Sequence, residues 1–229
     1  MQPPDLRSVT LARITPMPPM PQQGDPILLP PADLTDATRR AEALIPTPYG
    51  DFRMIAYAGE AEDYTPHLAL VHPDMDPKGE VIVRLHSECI TGDLFGSKRC
   101  DCGEQLDRAL RMVSAGKGVV IYLRQEGRGI GIINKLKAYQ LQDQGLDTIQ
   151  ANLHLGLEID ARHYGVAQGI LQDLGINRIQ LLTNNPLKVD SFGDGPIEVV
   201  RRLPIIVSPG EANRSYLRTK QLDMGHWLK

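Results

Sequence analysis

The sequence predicts an α/β layered fold with a mixed β-sheet flanked by helices. Three observations lead there. Val119 to Leu123 (VVIYL) is apolar throughout, as a strand buried on both faces requires. Strand-like and helix-like segments alternate through most of the chain, the pattern of layered α/β packing. Between Tyr49 and Val71, two neighbouring strand-like runs (DFRMIAYAG and HLALVHP) read as an antiparallel pair, which makes the sheet mixed.

Each element has its own signal. The first 48 residues hold eleven of the eighteen prolines. Proline removes backbone donors and fixes φ, so residues 1–44 are expected to form an extended or disordered tail. A short helix from Asp36 to Leu44 is expected to interrupt it, with the folded domain running over 45–229. Val81 to Leu85 reads as a strand. Glu104 to Val113 reads as a helix, with Leu106, Ala109, Leu110 and Val113 on one face and Gly116 at its end. A glycine-rich turn after Leu123 leads into a helix from Ile132 to Asp143. Asp160 is expected to cap a helix running to Leu174, with Gly175 at its end. Ile179 to Thr183, Ile197 to Val200 and Ile205 to Val207 read as strands, and Tyr216 to Met224 as the last helix.

The 229 residues are 41% hydrophobic and 23% charged, ordinary for a soluble globular protein, and long enough to bury a core without disulfide staples. No apolar run approaches the ~20 residues that would span a membrane. The N-terminus lacks a basic start followed by an apolar core, so no secretory signal is expected and the cytoplasm is the expected compartment. A net charge of −3 argues against a general nucleic-acid binder. A small anionic ligand remains compatible, because local arginine clusters need no basic total.

Three cysteines fall within one short stretch: Cys89, Cys100 and Cys102. Their odd number does not suit a disulfide scaffold. Thiolates are soft ligands that favour zinc, and a helix start beyond Gly103 favours thiolate. Three protein ligands leave a fourth position open, as in catalytic zinc sites. The bland alternatives are three buried thiols, or a structural Cys3His site completed by His86.

The run Arg124-Gln-Glu-Gly-Arg-Gly-Ile-Gly131 joins a buried strand to a helix. Glycines at alternate positions let backbone amides approach a ligand, and a helix N-terminus favours anions. Its spacing fits neither a Walker loop nor the dinucleotide fingerprint. Arg124 and Arg128 point to phosphate, and Glu126 could accept two parallel hydrogen bonds such as guanine N1–H and N2–H offer. Asp160-Ala-Arg162-His-Tyr164 reads by itself as a capped helix start. Thr183-Asn-Asn-Pro-Leu-Lys188 lies just past a buried strand, where ligands gather in α/β sheets. His154 and His163 suit hydrogen-bonding or surface roles.

Together the stretches RLHSECITGDLFGSKRCDCGEQL, YLRQEGRGIGIINKLKAYQLQDQGLDT, DARHYG and LLTNNPLKV resemble GTP cyclohydrolase II, the family that opens riboflavin synthesis. The resemblance runs from about Ile45 to the C-terminus and leaves out the proline-rich segment. It implies that Cys89, Cys100 and Cys102 are zinc ligands. It implies GTP-binding positions at Arg84, Leu85, His86, Ser87, Glu88, Gln105, Glu126, Gly127, Arg128, Thr148, Thr183 and Lys188. Asp160 matches the family's proton acceptor, Arg162 a proposed nucleophile toward the α-phosphate, and Tyr139 a tyrosine linked to completion of ring opening. Leu85 replaces a usual valine, and Arg201-Arg202-Leu203-Pro204 a usual Glu-Arg-Val-Pro. A homodimer is implied, and the short N-terminal segment suggests a monofunctional form.

The implied reaction opens the imidazole ring of GTP with release of formate and pyrophosphate, leaving 2,5-diamino-6-ribosylamino-4(3H)-pyrimidinone 5′-phosphate. Zinc supplies the Lewis acidity for attack at C8, and Mg2+ accompanies the phosphates. A guanidinium stays protonated, which makes Arg162 better suited to stabilising charge than to nucleophilic attack. Two other classes stay open. His86-Ser-Glu88 fits half of the zinc nucleobase deaminase signature, whose cysteine half is absent. A non-catalytic zinc-stabilised binding module is the other.

Overall fold

The computed structural model describes residues 37–59, 63–158, 160–193 and 195–228. Among them, seven strands form one sheet: β1 (Thr38–Thr47), β2 (Gly50–Ala58), β3 (His67–Val71), β4 (Val81–Ser87), β5 (Val119–Leu123), β6 (Arg178–Leu182) and β7 (Glu198–Leu203). Their order across the sheet is β1-β2-β3-β5-β4-β6-β7. The β1, β2, β3 and β5 neighbours run antiparallel, while β5, β4, β6 and β7 are parallel. The sheet is mixed, as expected. After β4 the chain goes to one side for β5 and returns to the other side for β6. That reversal opens a crevice at the carboxyl ends of the parallel strands.

Alternation along the strands builds two cores. Val81, Val83 and Leu85 of β4 share a face with Val119, Ile121 and Leu123 of β5 and with Ile179 and Leu181 of β6. Helix α5 (Gly165–Asp173) covers that face with Val166, Ala167, Ile170 and Leu171. The opposite face carries Ile82, Val120, Leu70 and Phe52, packed under helix α2 (Cys102–Ala115) through Leu106, Leu110 and Val113. The buried-both-faces reading of β5 thus holds.

Three expectations about elements need correction. The segment expected as a helix over 36–44 is strand β1 from Thr38 on, so residues 38–44 belong to the sheet. The helix would have been too short to be stable alone. Pairing with β2 across the turn at Pro48 and Tyr49, and the bonds from Arg39 to Asp173 on α5, override the local preference. The helix expected from Asp160 begins only at Gly165, and the Asp160 carboxylate accepts from the nearby Arg162 amide and side chain instead of capping. Ile205 and Val207 lie outside any strand, and the single strand β7 ends at Leu203. Residues 1–36 lie outside the described residues, and with them most of the expected tail. No helix among the described residues is long and apolar enough to cross a membrane.

Candidate active site

The thiols converge because two glycines let backbone segments touch. Cys89 precedes the short helix α1 (Ile90–Asp93), and its carbonyl accepts from the amides of Gly92 and Asp93 at 2.9 and 2.7 Å. Cys102 opens α2. A Cβ on Gly103 would sit 2.3 Å from the Gly92 carbonyl oxygen, and one on Gly92 would sit 2.9 Å from Cys100 Sγ. With both side chains missing, the Sγ atoms of Cys89, Cys100 and Cys102 all lie within 4.8 Å of one another. Three soft sulfur donors in one cradle fit a zinc ion. His86 does not complete the set. Its Nε2 lies 3.0 Å from both Asp93 carboxylate oxygens, and its ring stacks on Tyr122. Asp93 also accepts from the Cys89 amide and the Tyr122 hydroxyl, both at 2.9 Å, so a buried acid steadies the cysteine loop. The closed Cys3His site and the deaminase reading both required His86 as a ligand, and this geometry supports neither.

Beside the thiols, a cleft opens at the ends of β4, β5 and β6. A buried polar chain runs along its floor. Arg84 donates to Gln105 Oε1 at 2.7 Å and to the Leu182 carbonyl at 3.0 Å, and Gln105 donates to Asp101. Burial pushes the Arg84 pKa down to about 10. Glu88 pairs with Arg124 at 2.9 Å, while burial pushes its carboxyl up.

The glycine-rich loop folds as a tight turn over Glu126–Gly129, with Gly127 and Arg128 both left-handed, followed by helix α3 (Gly131–Asp143). Arg128 takes a left-handed φ of 64°, a costly conformation for a residue with a side chain, and its Nη1 and Nη2 are buried without a partner among the described residues. Such a guanidinium is poised for an anionic ligand. Glu126 is different. Its carboxylate already accepts from the amides of Ile90 and Gly127 and from Lys135 Nζ, at 2.5, 2.6 and 2.8 Å. Roughly one of a carboxylate's four acceptor positions is left, too few for the two parallel bonds expected with guanine.

The third wall comes from residues 160–164 and from the segment after β6. Asp160 and Arg162 form a close ion pair, with Arg162 Nε 2.7 Å from Asp160 Oδ1. Burial works against both charges, yet their mutual hydrogen bonds hold the Asp160 carboxyl below its ordinary value and Arg162 above its own. Arg162 is therefore a fixed cation. Asn185 caps helix α6 (Pro186–Asp190), which carries Lys188. The Lys188 ammonium donates to the Leu85 carbonyl at 2.7 Å. Burial, then the charges of Arg84, Arg162 and Lys220, push its pKa far down. Cations crowded in this way favour a multiply charged anion among them.

The cleft gathers Tyr139, Arg162 and all the expected binding residues except Leu85. Leu85 is a core residue whose backbone carbonyl, and not its side chain, serves the site. Asp160 stands behind Arg162, and His154 and His163 are exposed. Sequence reasoning missed Lys135, Asn152, Tyr216, Lys220 and His226 among the lining residues. Lys135 and Tyr139, and likewise Tyr216 and Lys220, are spaced one helical turn apart, the only signal the sequence held. Asn184 and Asn185 stood in a quoted motif without an assigned role.

Fold and site define a mixed α/β domain built around a cation-lined cleft with a thiolate cluster at one end. The family model for GTP cyclohydrolase II matches residues 38–204, and the chain belongs to that enzyme family. It is 51% identical over 191 residues to the riboflavin biosynthesis protein RibBA of Chlorobium phaeovibrioides, covering 83% of this chain and 46% of that protein. It is 50% identical over 195 residues to RibBA of Bacillus cereus, covering 85% and 49%. The chain thus spans about half the length of the curated relatives it matches. A solved structure of RibBX, a two-domain 3,4-dihydroxy-2-butanone 4-phosphate synthase from A. baumannii, aligns over 76% of this chain and 41% of its own. At a TM-score of 0.41 and 23% identity, that likeness carries no argument.

Proposed function

We propose that this domain hydrolyses GTP, opening the imidazole ring with release of formate and pyrophosphate to give 2,5-diamino-6-ribosylamino-4(3H)-pyrimidinone 5′-phosphate. The observation that carries the reading is one cleft with a three-thiol cradle on one wall and Arg128, Arg162 and Lys188 on the others. That layout suits a molecule with a reactive ring and a polyphosphate. Cys89, Cys100 and Cys102 would hold zinc, which when bound supplies the Lewis acidity that makes water nucleophilic near neutral pH.

The chain's own groups do the rest. Arg128, Arg162 and Lys188 bind the phosphates and offset the charge that develops as pyrophosphate leaves. Asp160 keeps the Arg162 guanidinium aimed and protonated, so Arg162 acts as an electrostatic clamp. Asp160, held ionised, accepts a proton once substrate loosens that pair. Tyr139, whose pKa burial pushes up to about 12, stays a hydroxyl and donates near the base. Glu126 and Lys135 brace the glycine-rich loop against the Cys89 loop, with Lys135 Nζ 3.0 Å from Cys89 Sγ. The remaining expected contacts, from Ser87, Thr148 and Thr183, add polar groups around the nucleotide. Placement in riboflavin synthesis follows from the family and from the names of the relatives.

Incubation of the zinc-loaded protein with GTP and Mg2+ tests the reading. Formate and pyrophosphate in equal amounts are expected. Ammonia in place of formate, or no turnover, would overturn it.

A further inference from the structure

The family match ends at residue 204, yet Tyr216, Lys220 and His226 line the cleft. The first two lie on helix α7 (Arg214–Leu222). Two contacts fasten this segment to the site. Lys220 Nζ sits 2.7 Å from Asp101 Oδ1, on the residue between two of the thiol-bearing cysteines. The Trp227 amide donates to the Asn184 carbonyl at 2.9 Å, and the Arg202 guanidinium lies 5.1 Å from the centre of the Trp227 ring. Between these anchors, the His226 amide donates to the Lys220 carbonyl at 2.9 Å, which turns the chain back toward the cleft.

The His226 ring then stands among cations. Burial and the charges of Lys220, Arg162, Arg128 and Lys188 push its pKa down to about 3, so it is neutral. Arg128, whose guanidinium Nη atoms have no hydrogen-bond partner among the described residues, lies 5.7 Å from the Tyr216 ring centre and lines the same cleft. A neutral ring N–H and an unpaired guanidinium facing one space make a place for an oxyanion of high charge.

We propose that residues 214–228 form a wall of the substrate cleft, in which the His226 ring donates a hydrogen bond to a phosphate oxygen of the bound nucleotide while Lys220 and the Trp227 backbone anchor the segment. The inference rests on the nucleotide reading above and adds residues beyond the region that the family model covers.

Inorganic tripolyphosphate is the probe, titrated calorimetrically into the full-length, zinc-loaded protein. His226→Ala is expected to weaken its binding about tenfold, the size of one charge-assisted hydrogen bond. It should raise the KM for GTP by a similar factor with kcat little changed. His226→Asn, which keeps an N–H donor, should recover most of the loss, and guanosine affinity should not move. Lys220→Met should cause part of the same loss, and Lys220→Arg, which keeps the pair with Asp101, should restore it. Wild-type tripolyphosphate affinity in His226→Ala overturns the inference. An unaffected Lys220→Met overturns the anchoring. Should GTP fail to turn over while His226→Ala still loses tripolyphosphate, the wall stands and the ring-opening reading falls.

Discussion

Gly103 has no room for a side chain, and the metal cradle depends on that. A methyl group there would meet the Gly92 carbonyl oxygen at 2.3 Å, a backbone atom that cannot swing aside. Gly103→Ala should therefore cost about 1–3 kcal/mol of stability and lower zinc stoichiometry, because α1 and α2 must part. Cys102→Ser should lose zinc outright and with it formate release, while leaving Arg128, Arg162 and Lys188 in place. Metal analysis beside formate and pyrophosphate assays checks both variants, and full zinc in Gly103→Ala would refute the close-approach argument. Tyr139 supplies a second prediction at this scale. Its ring lies 4.9 Å from the Arg99 guanidinium and 5.9 Å from Lys135 Nζ, so the side chain is clamped without needing its hydroxyl. Tyr139→Phe should therefore fold and bind GTP but stall ring opening, with a formylated intermediate accumulating by mass spectrometry. An unchanged yield of deformylated product would show the hydroxyl idle.

At the level of elements, β1 is the test case. It is an edge strand whose side chains are mostly exposed, held by its ladder to β2 and by the Arg39 bonds to Asp173 at 2.7 and 3.0 Å. A chain starting at Ile45 loses most of that ladder, whereas one starting at Ala37 keeps it. The shorter chain should melt lower by roughly 4–8 °C, the shift that about 2 kcal/mol produces in a domain of this size. GTP turnover below the melt should stay close to normal, since the cleft lies at the other strands. Equal melting temperatures for the two chains would mean that β1 adds nothing to stability. The helix reading of this segment failed for a reason that also operates at this scale: the hairpin ladder to β2 and the Arg39–Asp173 contact outweigh a weak local preference.

For the whole molecule, charge pairs make stability depend on pH in a stated direction. Asp160 and Asp173 are both held below the ordinary carboxylate value. Burial opposes their charge, but the hydrogen bonds from Arg162 to Asp160, and from Tyr57 and Arg39 to Asp173, outweigh it. A depressed folded pKa gives stability that is present above the unfolded value near 4 and lost as pH falls through the folded value. Melting temperature should accordingly hold from pH 7 to about 5 and fall below about 4, and Asp160→Asn should flatten part of that fall. An acid limb unchanged in Asp160→Asn would remove this pair as its cause. Assembly is the other property at this scale. Leu94, Phe95, Ile133, Leu136 and Leu153 are large apolar residues left exposed, and we propose that the chain forms the homodimer that the family resemblance implies. Sedimentation equilibrium at micromolar protein should return twice the chain mass of 25.3 kDa, and a monomer would refute the dimer.

The sequence by itself determined the fold class, the strands β4, β5 and β6, helices α2 and α3, and the candidate metal ligands. Each of these rests on a short-range signal: an apolar run, a 3.6-residue period, or cysteines close together along the chain. Only the tertiary structure decided that β1 is a strand, that Asp160 clamps Arg162 instead of capping a helix, and that Glu126 is spent on the amides of Ile90 and Gly127. It alone brought Lys220 to Asp101, 119 residues away, and set His226 among the cations of the cleft. The Lys220–Asp101 and Glu126–Ile90 contacts join segments far apart in sequence. Periodicity reports which face of an element is buried, but which distant polar groups meet there is set by sheet order and by the close approach that Gly92 and Gly103 permit.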